Sequence, residues 1–146
     1  MTNQNYMEIT FPGCPENESF ARVVISAFTV QLSPTVSEIA DIKTAVSEAV
    51  TNSIIHGYEC GRGLITMRAE ILAKGEIEIE ITDHGRGIEN LEEAMTPFFT
   101  SKPDEERSGM GFAVMQTFMD SVAVQSEIGI GTTVRLKKRI AAMKDK

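Results

Sequence analysis

Two cysteines, five prolines, no tryptophan and only fourteen basic residues among 146 are what this sequence is short of. Cys14 and Cys60 make no CxxC or zinc-ligand spacing, and such sparse use fits a reducing cytoplasm in which both are free thiols. Fourteen Lys and Arg against 21 Asp and Glu leave a net charge of −7, which argues against a nucleic-acid surface built on phosphate neutralisation. The longest apolar stretch, Phe20 to Leu32, is broken by Arg22, Ser26, Thr29 and Gln31 and falls short of the roughly twenty residues a membrane span needs. Met1-Thr-Asn-Gln-Asn5 has no positive region leading into an apolar one, so no export signal is expected there. The familiar nucleotide signatures are missing too: no GxxxxGK[ST] loop, no GxGxxG opening a βαβ unit and no HRD or DFG pair.

What is present suits one domain over residues 1–146, with 42% hydrophobic residues and enough chain to bury a core without metal or disulfide staples. Charge is unevenly spread, since 1–134 holds eight basic residues against twenty acidic ones. Alternation at 6–11 predicts a strand closed by Pro12-Gly13. Helical spacing of Phe20, Val24, Ala27, Phe28 and Leu32 predicts a helix from Glu18 to Leu32, with Asn17 as its N-cap and Arg22, Ser26 and Thr29 on the wetter face. A second helix is expected from Thr35 to Ile55, ended by His56-Gly57. Strands follow at Leu64–Leu72 and Glu76–Thr82, the latter alternating strictly between Glu and Ile so that one face is buried and the other acidic. Residues 85–109 read as loop with one helical turn from Asn90, Phe112–Phe118 as a helix, and Val122–Glu127 with Thr132–Lys138 as a hairpin around Ile128-Gly129-Ile130-Gly131. Lys137-Lys-Arg139 is expected to guard an edge strand. An α/β fold results, with a mixed sheet covered on one face by helices.

Four short patterns carry candidate chemistry. In Glu48-Ala-Val-Thr-Asn52-Ser-Ile-Ile-His56, spacings of four set Glu48, Asn52 and His56 on one stripe bordering apolar Val46, Ala49, Val50, Ile54 and Ile55. A carboxylate there is costly without a partner or a task. In Asp83-His-Gly85-Arg-Gly87, an aspartate at a strand end can accept from an exocyclic amine, and the glycines let backbone approach a flat ring. In Thr100-Ser-Lys102-Pro through Arg107-Ser108-Gly109-Met110-Gly111-Phe112, paired glycines before a helix leave amides aimed at one spot suited to an anion, with Lys102 and Arg107 adding positive charge. Gly131-Thr132 opens the last strand.

Taken in this order, the four patterns resemble the GHKL ATP-binding superfamily, and within it Glu48–Tyr58 and Thr100–Phe112 resemble the anti-sigma-factor serine kinases. The resemblance extends to Glu16–Arg22 and Gly131–Lys138. It implies a two-layer α/β sandwich with a mixed, mainly antiparallel sheet, binding ATP or ADP with Mg²⁺. Asn52 is implied as the protein ligand of Mg²⁺. Asp83 would hold the adenine amino group, with Gly85 and Gly87 giving room and Thr132 assisting. Lys102, Arg107, Ser108, Gly109, Met110 and Gly111 would belong to a lid at about 88–110 over the phosphates, and a basic tail would occupy 139–146. Glu48 would orient or deprotonate the attacking serine of a protein substrate. Ser53 and Phe112, which stand where the wider superfamily often has Ala and Leu, are expected to touch no charged role. Arg22 is implied as a contact to a sigma factor and, alternately, to an anti-anti-sigma substrate. A homodimer is implied as well. The chief rival is a nucleotide-gated sigma-binding module without catalysis, which needs Asn52 and Asp83 but not Glu48. A histidine-kinase fragment is the weaker rival, since His56 and His84 both lie inside these motifs.

Overall fold

The computed structural model describes residues 5–58, 63–89 and 111–141. Five segments whose side chains alternate between more and less exposed form its strands: β1 (Asn5–Pro12), β2 (Leu64–Ile71), β3 (Glu76–Asp83), β4 (Ser121–Glu127) and β5 (Gly131–Arg139). They make one sheet in the order β1-β2-β3-β5-β4. Every pairing among them is antiparallel, so the expected two-layer α/β sandwich is built on a sheet without a parallel pair among the described strands. Its helices are α1 (Pro15–Thr29), α2 (Val36–Asn52) and α3 (Gly111–Phe118). No described helix is long and apolar enough to cross a membrane.

The Ile-Glu alternation of β3 sets the two faces. Ile79 lies between Ala69 of β2 and Leu136 of β5, and Ile81 between Met67 and Val134. All of these are buried in one core with Ala21 and Ile25 of α1, Ile42, Val46, Ala49 and Val50 of α2, and Met115 of α3. Each buried Ile, Leu, Val or Met side chain here contributes about 1.5–3 kcal/mol on leaving water, so this interlayer contact holds the fold. The same face turns polar at one end. Asp83 follows Ile77, Ile79 and Ile81 in the buried register and stands between Ile65 and Thr132, and Thr132 stands opposite Ser126 of β4.

The outer face is charged but balanced. Glu76, Glu78 and Glu80 stand opposite Arg139, Lys137 and Arg135, with ion pairs at 3.5 Å for Arg139 with Glu76 and 3.4 Å for Lys137 with Glu78. Such exposed cross-strand pairs contribute about 0.2–1 kcal/mol each. The edge-guarding role expected of Lys137-Lys-Arg139 is therefore corrected. β5 is an interior strand, and Lys138 turns to the other face, where Nζ donates to the Phe118 carbonyl at 2.7 Å.

Helix boundaries follow local chemistry. α1 starts earlier than expected, after an extended Cys14, because Pro15 fixes the first helical φ and lacks the N–H that would be left unpaired. Asn17 is inside the first turn instead of capping it, and its Nδ2 donates to the Pro12 carbonyl at 2.9 Å. Thr29 is buried, not wet: its hydroxyl donates to the Ile25 carbonyl at 2.7 Å, which hides the polar group within the helix. α2 opens on a capping box, in which the Thr35 hydroxyl accepts from the Glu38 amide at 3.0 Å and the Glu38 carboxylate accepts from the Thr35 amide at 2.9 Å. The turn expected at Asn90 lies outside the described residues.

Candidate active site

α2 presents Glu48 and Asn52 one turn apart, and the start of α3 closes on them. A Cβ built at Gly111 would stand 3.2 Å from Asn52 Nδ2 and 3.4 Å from Glu48 Oε2, so a side chain there would press on both groups. Asn52 Nδ2 is buried and has no hydrogen-bond partner among the described residues. An unpaired buried amide costs about 1–3 kcal/mol, and such a group is retained where something else satisfies it.

Immediately after Asn52 the backbone widens. Residues Ser53–Gly57 form a π turn, in which the Tyr58 amide donates to the Ser53 carbonyl at 2.9 Å. π turns recur at functional sites because they reset the direction of side chains. The expected helix to Ile55 is thus α-helical only to Asn52, and His56 lies in the π turn beyond it. What the π turn does present is Ser53, whose Oγ donates to Asp83 Oδ2 at 2.7 Å. Ser53 therefore touches a charged group after all, contrary to the expectation from the sequence.

Asp83 is 4% exposed, and its other oxygen, Oδ1, accepts from the Gly85 amide at 3.0 Å. Gly57 walls the carboxylate on a further side, since a Cβ there would stand 2.9 Å from Oδ2. Hydrogen bonds to a carboxylate are about twice as strong as neutral ones, and two of them offset part of the cost of burying this charge. Across the strand pair, the Thr132 hydroxyl lies 2.7 Å from Ser126 Oγ, which itself accepts from the Ile88 amide at 2.7 Å. Asp83, Thr132 and Ser126 thus stand in one cross-strand row at the polar end of the sheet, the two hydroxyls bonded to each other.

Gly85 and Gly87 are required, but on their Cβ sides by the chain itself and not by a ring. A Cβ at Gly85 would stand 2.1 Å from the Gly57 carbonyl oxygen, and one at Gly87, whose φ is +81°, would stand 2.4 Å from that of Glu127. Tyr58 locks the same loop, accepting from the His84 amide at 2.7 Å and donating to the Leu64 carbonyl at 2.5 Å. Partial burial, with the Asp83 charge adding to it, pushes the Tyr58 phenol above its ordinary pKa and keeps it a neutral donor. Ser53, Gly57 and Tyr58 are the site residues that sequence reasoning missed. The signal for Ser53 was a hydroxyl adjoining Asn52 at the edge of an apolar run.

On the other side of Glu48 an open groove of about 320 Å³ is lined by Arg22, Ala40, Lys43, Thr44, Ser47 and Glu48. Arg22 Nε donates to Glu18 Oε2 at 3.0 Å, and Ser47 Oγ donates to Glu18 Oε1 at 2.5 Å, so Glu18 links α1 to α2 and holds Arg22 beside it. The structure therefore brings Arg22 and Glu48 onto one groove, Glu48 and Asn52 against Gly111, and Asp83 beside Thr132. Lys102, Arg107, Ser108, Gly109 and Met110 lie outside the described residues, as does Cys60.

The residues fit a nucleotide with Mg²⁺. An amide carbonyl is a suitable hard oxygen donor, and Mg²⁺ keeps most of its shell for water and phosphate, needing few protein ligands. Among the described residues no group of three His, Cys, Asp or Glu forms an all-protein metal cage.

Residues 11–138 match the family model described as histidine kinase-like ATPase domain. The chain is 56% identical over 144 residues to the anti-sigma F factor of Thermoanaerobacter sp. strain X514, covering 99% of this chain and 100% of that one. It is 59% identical over 140 residues to the anti-sigma F factor of Caldanaerobacter subterraneus subsp. tengcongensis, covering 96% and 97%. Among solved structures, the RsbU and RsbW domains of a Mycobacterium tuberculosis protein align at TM-score 0.69 with 21% identity, over 94% of this chain and 33% of that one. The catalytic domain of histidine kinase ThkA aligns at TM-score 0.58 with 14% identity, over 94% and 97%. At these identities the structural likenesses speak for the fold alone.

Proposed function

The chain belongs to the anti-sigma F factor family and carries a histidine kinase-like ATPase domain, and on that premise we propose that it is a cytoplasmic anti-sigma factor and protein-serine kinase. In this reading it holds a sigma factor in an ATP-dependent complex, and it phosphorylates a serine on a small anti-anti-sigma protein, which inactivates that antagonist. It acts as a homodimer.

The observation that carries the reading is the buried Asn52 Nδ2, a donor with no partner among the described residues, one helical turn from Glu48 and near the glycine start of α3. That donor suits an acceptor such as a phosphate oxygen, while Oδ1 of the same side chain would hold Mg²⁺, which when bound neutralises phosphate charge. Asp83 accepts from the adenine amine through the lone pairs that Ser53 and Gly85 leave open, since two carboxylate oxygens offer about four acceptor sites. Glu48 stands where the nucleotide end of the site meets the Arg22 groove, and it orients or takes the proton of a serine hydroxyl delivered along that groove. Phosphoryl transfer asks chiefly for positioning and charge neutralisation, so one carboxylate suffices as the base. The positive Arg22, with Lys43 beside it, suits carboxylates on a partner.

The test mixes purified protein, labelled ATP, Mg²⁺ and the candidate antagonist. Label on the antagonist with the parent chain and none with Glu48→Gln supports the kinase. Sequestration of a sigma factor without any transfer would leave the non-catalytic gated module as the reading.

A further inference from the structure

We infer that Ser53 is a positioning residue for nucleotide selection, fixing the plane of the Asp83 carboxylate so that it accepts from a 6-amino purine. The inference rests on the adenine-binding reading of Asp83 given above.

A carboxylate on Cβ turns about a terminal torsion whose energy wells are broad, so one hydrogen bond leaves its plane loosely set. Here each oxygen has its own donor. The Ser53 hydroxyl holds Oδ2 at 2.7 Å, and the Gly85 amide holds Oδ1 at 3.0 Å. The donors come from different parts of the fold, one from the π turn after α2 and one from the loop after β3. Two donors on two oxygens define a plane, and the Gly57 backbone lies so near that a Cβ there would stand 2.9 Å from Oδ2. Ser53 is itself only 4% exposed, so no water replaces its hydroxyl without a rearrangement of the core. The lone pairs left over then point in a direction set by the protein before any ligand arrives. Preorganisation of this kind turns an acceptor into a selective one, because an amine gains a bond while a 6-oxo group meets repulsion and a 6-hydrogen gains nothing.

A structural role for Ser53 would change the affinity of all nucleotides alike. A role in setting the acceptor changes discrimination. The experiment measures binding of Mg-ATP and of Mg-purine riboside triphosphate, which lacks the 6-amino group, to the full chain and to Ser53→Ala. The parent is expected to prefer ATP by tenfold or more. In Ser53→Ala the affinity for ATP falls about tenfold, the equivalent of roughly 1.4 kcal/mol. Affinity for the riboside analogue changes less than twofold, so the preference collapses. Ser53→Cys, close to serine in size but with a weak donor, gives an intermediate preference, and it carries the comparison if the alanine chain does not fold. Equal losses on both nucleotides, or an unchanged preference, overturn the inference while leaving Asp83 as the adenine acceptor. A parent that does not prefer ATP overturns the reading of Asp83 and the inference together.

Discussion

Gly57 and Asp83 come from opposite layers and meet closely enough that a Cβ on the glycine would stand 2.9 Å from Oδ2 and 3.0 Å from Oδ1 of the carboxylate. Gly57→Ala must therefore push the carboxylate off its seat between Ser53 and Gly85. Overpacking of this sort costs about 1–3 kcal/mol. Denaturant unfolding of the variant should show a loss in that range, and calorimetry with Mg-ATP should show affinity reduced by roughly tenfold, the value of one displaced charge-assisted hydrogen bond. Unchanged ATP affinity would separate Asp83 from the nucleotide.

Asn52 has the opposite relation to stability. Its Nδ2 is buried with no partner among the described residues, so the amide is a burden on the nucleotide-free fold. Asn52→Ala should leave the stability of the free chain unchanged or raise it by up to about 1 kcal/mol. The parent, with its site filled at one hundred times Kd, should gain roughly 2.7 kcal/mol from Mg-ATP, and the variant almost none. Melting curves with and without Mg-ATP read both effects. A free variant that melts far below the parent would mean that the amide serves the fold and not a ligand.

Most of the fold was legible because its signals are local. The Ile-Glu alternation of β3 announces a two-faced strand, and the structure buries Ile77, Ile79 and Ile81 as that pattern requires. Thr29 was misread because helical spacing alone does not reveal that a hydroxyl can satisfy itself on the carbonyl four residues back. Lys137 and Arg139 were misread because strand order, which makes β5 interior, depends on long-range pairing. The Glu48 and Asn52 stripe was visible at helical spacing, whereas the π turn was not, since a spacing of four continues smoothly through His56. Ser53, Gly57 and Tyr58 therefore stayed hidden. Each acts on Asp83 or His84 some thirty residues away, and that approach exists only in the folded chain.

Glu38 ties the start of α2 to the end of the chain and supplies a pH signature. Partial burial pushes its carboxyl up. Hydrogen bonds from the Ala141 and Thr35 amides and from the Thr35 hydroxyl, with the charge of Lys138, outweigh this and hold it below its ordinary value of 4.5. A carboxyl lowered in the folded state binds protons more weakly there than when unfolded. The stability it contributes is thus whole above pH 4.5 and is lost as pH falls through the lowered folded value. Glu38→Gln should unfold more easily than the parent at pH 7, with the gap narrowing as acid is added. Thr35→Ala, which removes the other half of the capping box, should cost about 1 kcal/mol at neutral pH. Urea unfolding from pH 7 to 3 checks both, and a gap that does not depend on pH would assign the role of Glu38 to packing alone.

Arg22 and Glu48 line one groove but should fail in different ways. Glu48 lies near the Gly111 start of α3, and on the proposed kinase reading its loss would act on the reacting hydroxyl. Glu48→Gln keeps the shape and the hydrogen-bonding capacity while removing the basic oxygen, and should lower kcat for transfer to a protein serine by about 10²–10⁴ with ATP affinity unchanged. Arg22 is held by Glu18, which is held in turn by Ser47, and this leaves the guanidinium partly exposed along the groove. On the proposed docking reading, its loss would remove binding energy that ground state and transition state share. Arg22→Ala should therefore raise KM for the protein substrate by about 10–100-fold with little change in kcat, a pattern diagnostic of uniform binding. Steady-state kinetics at varied substrate separate the two. If Arg22→Ala lowers kcat as Glu48→Gln does, the groove is part of the chemistry, and the division of labour argued here between docking and catalysis is wrong.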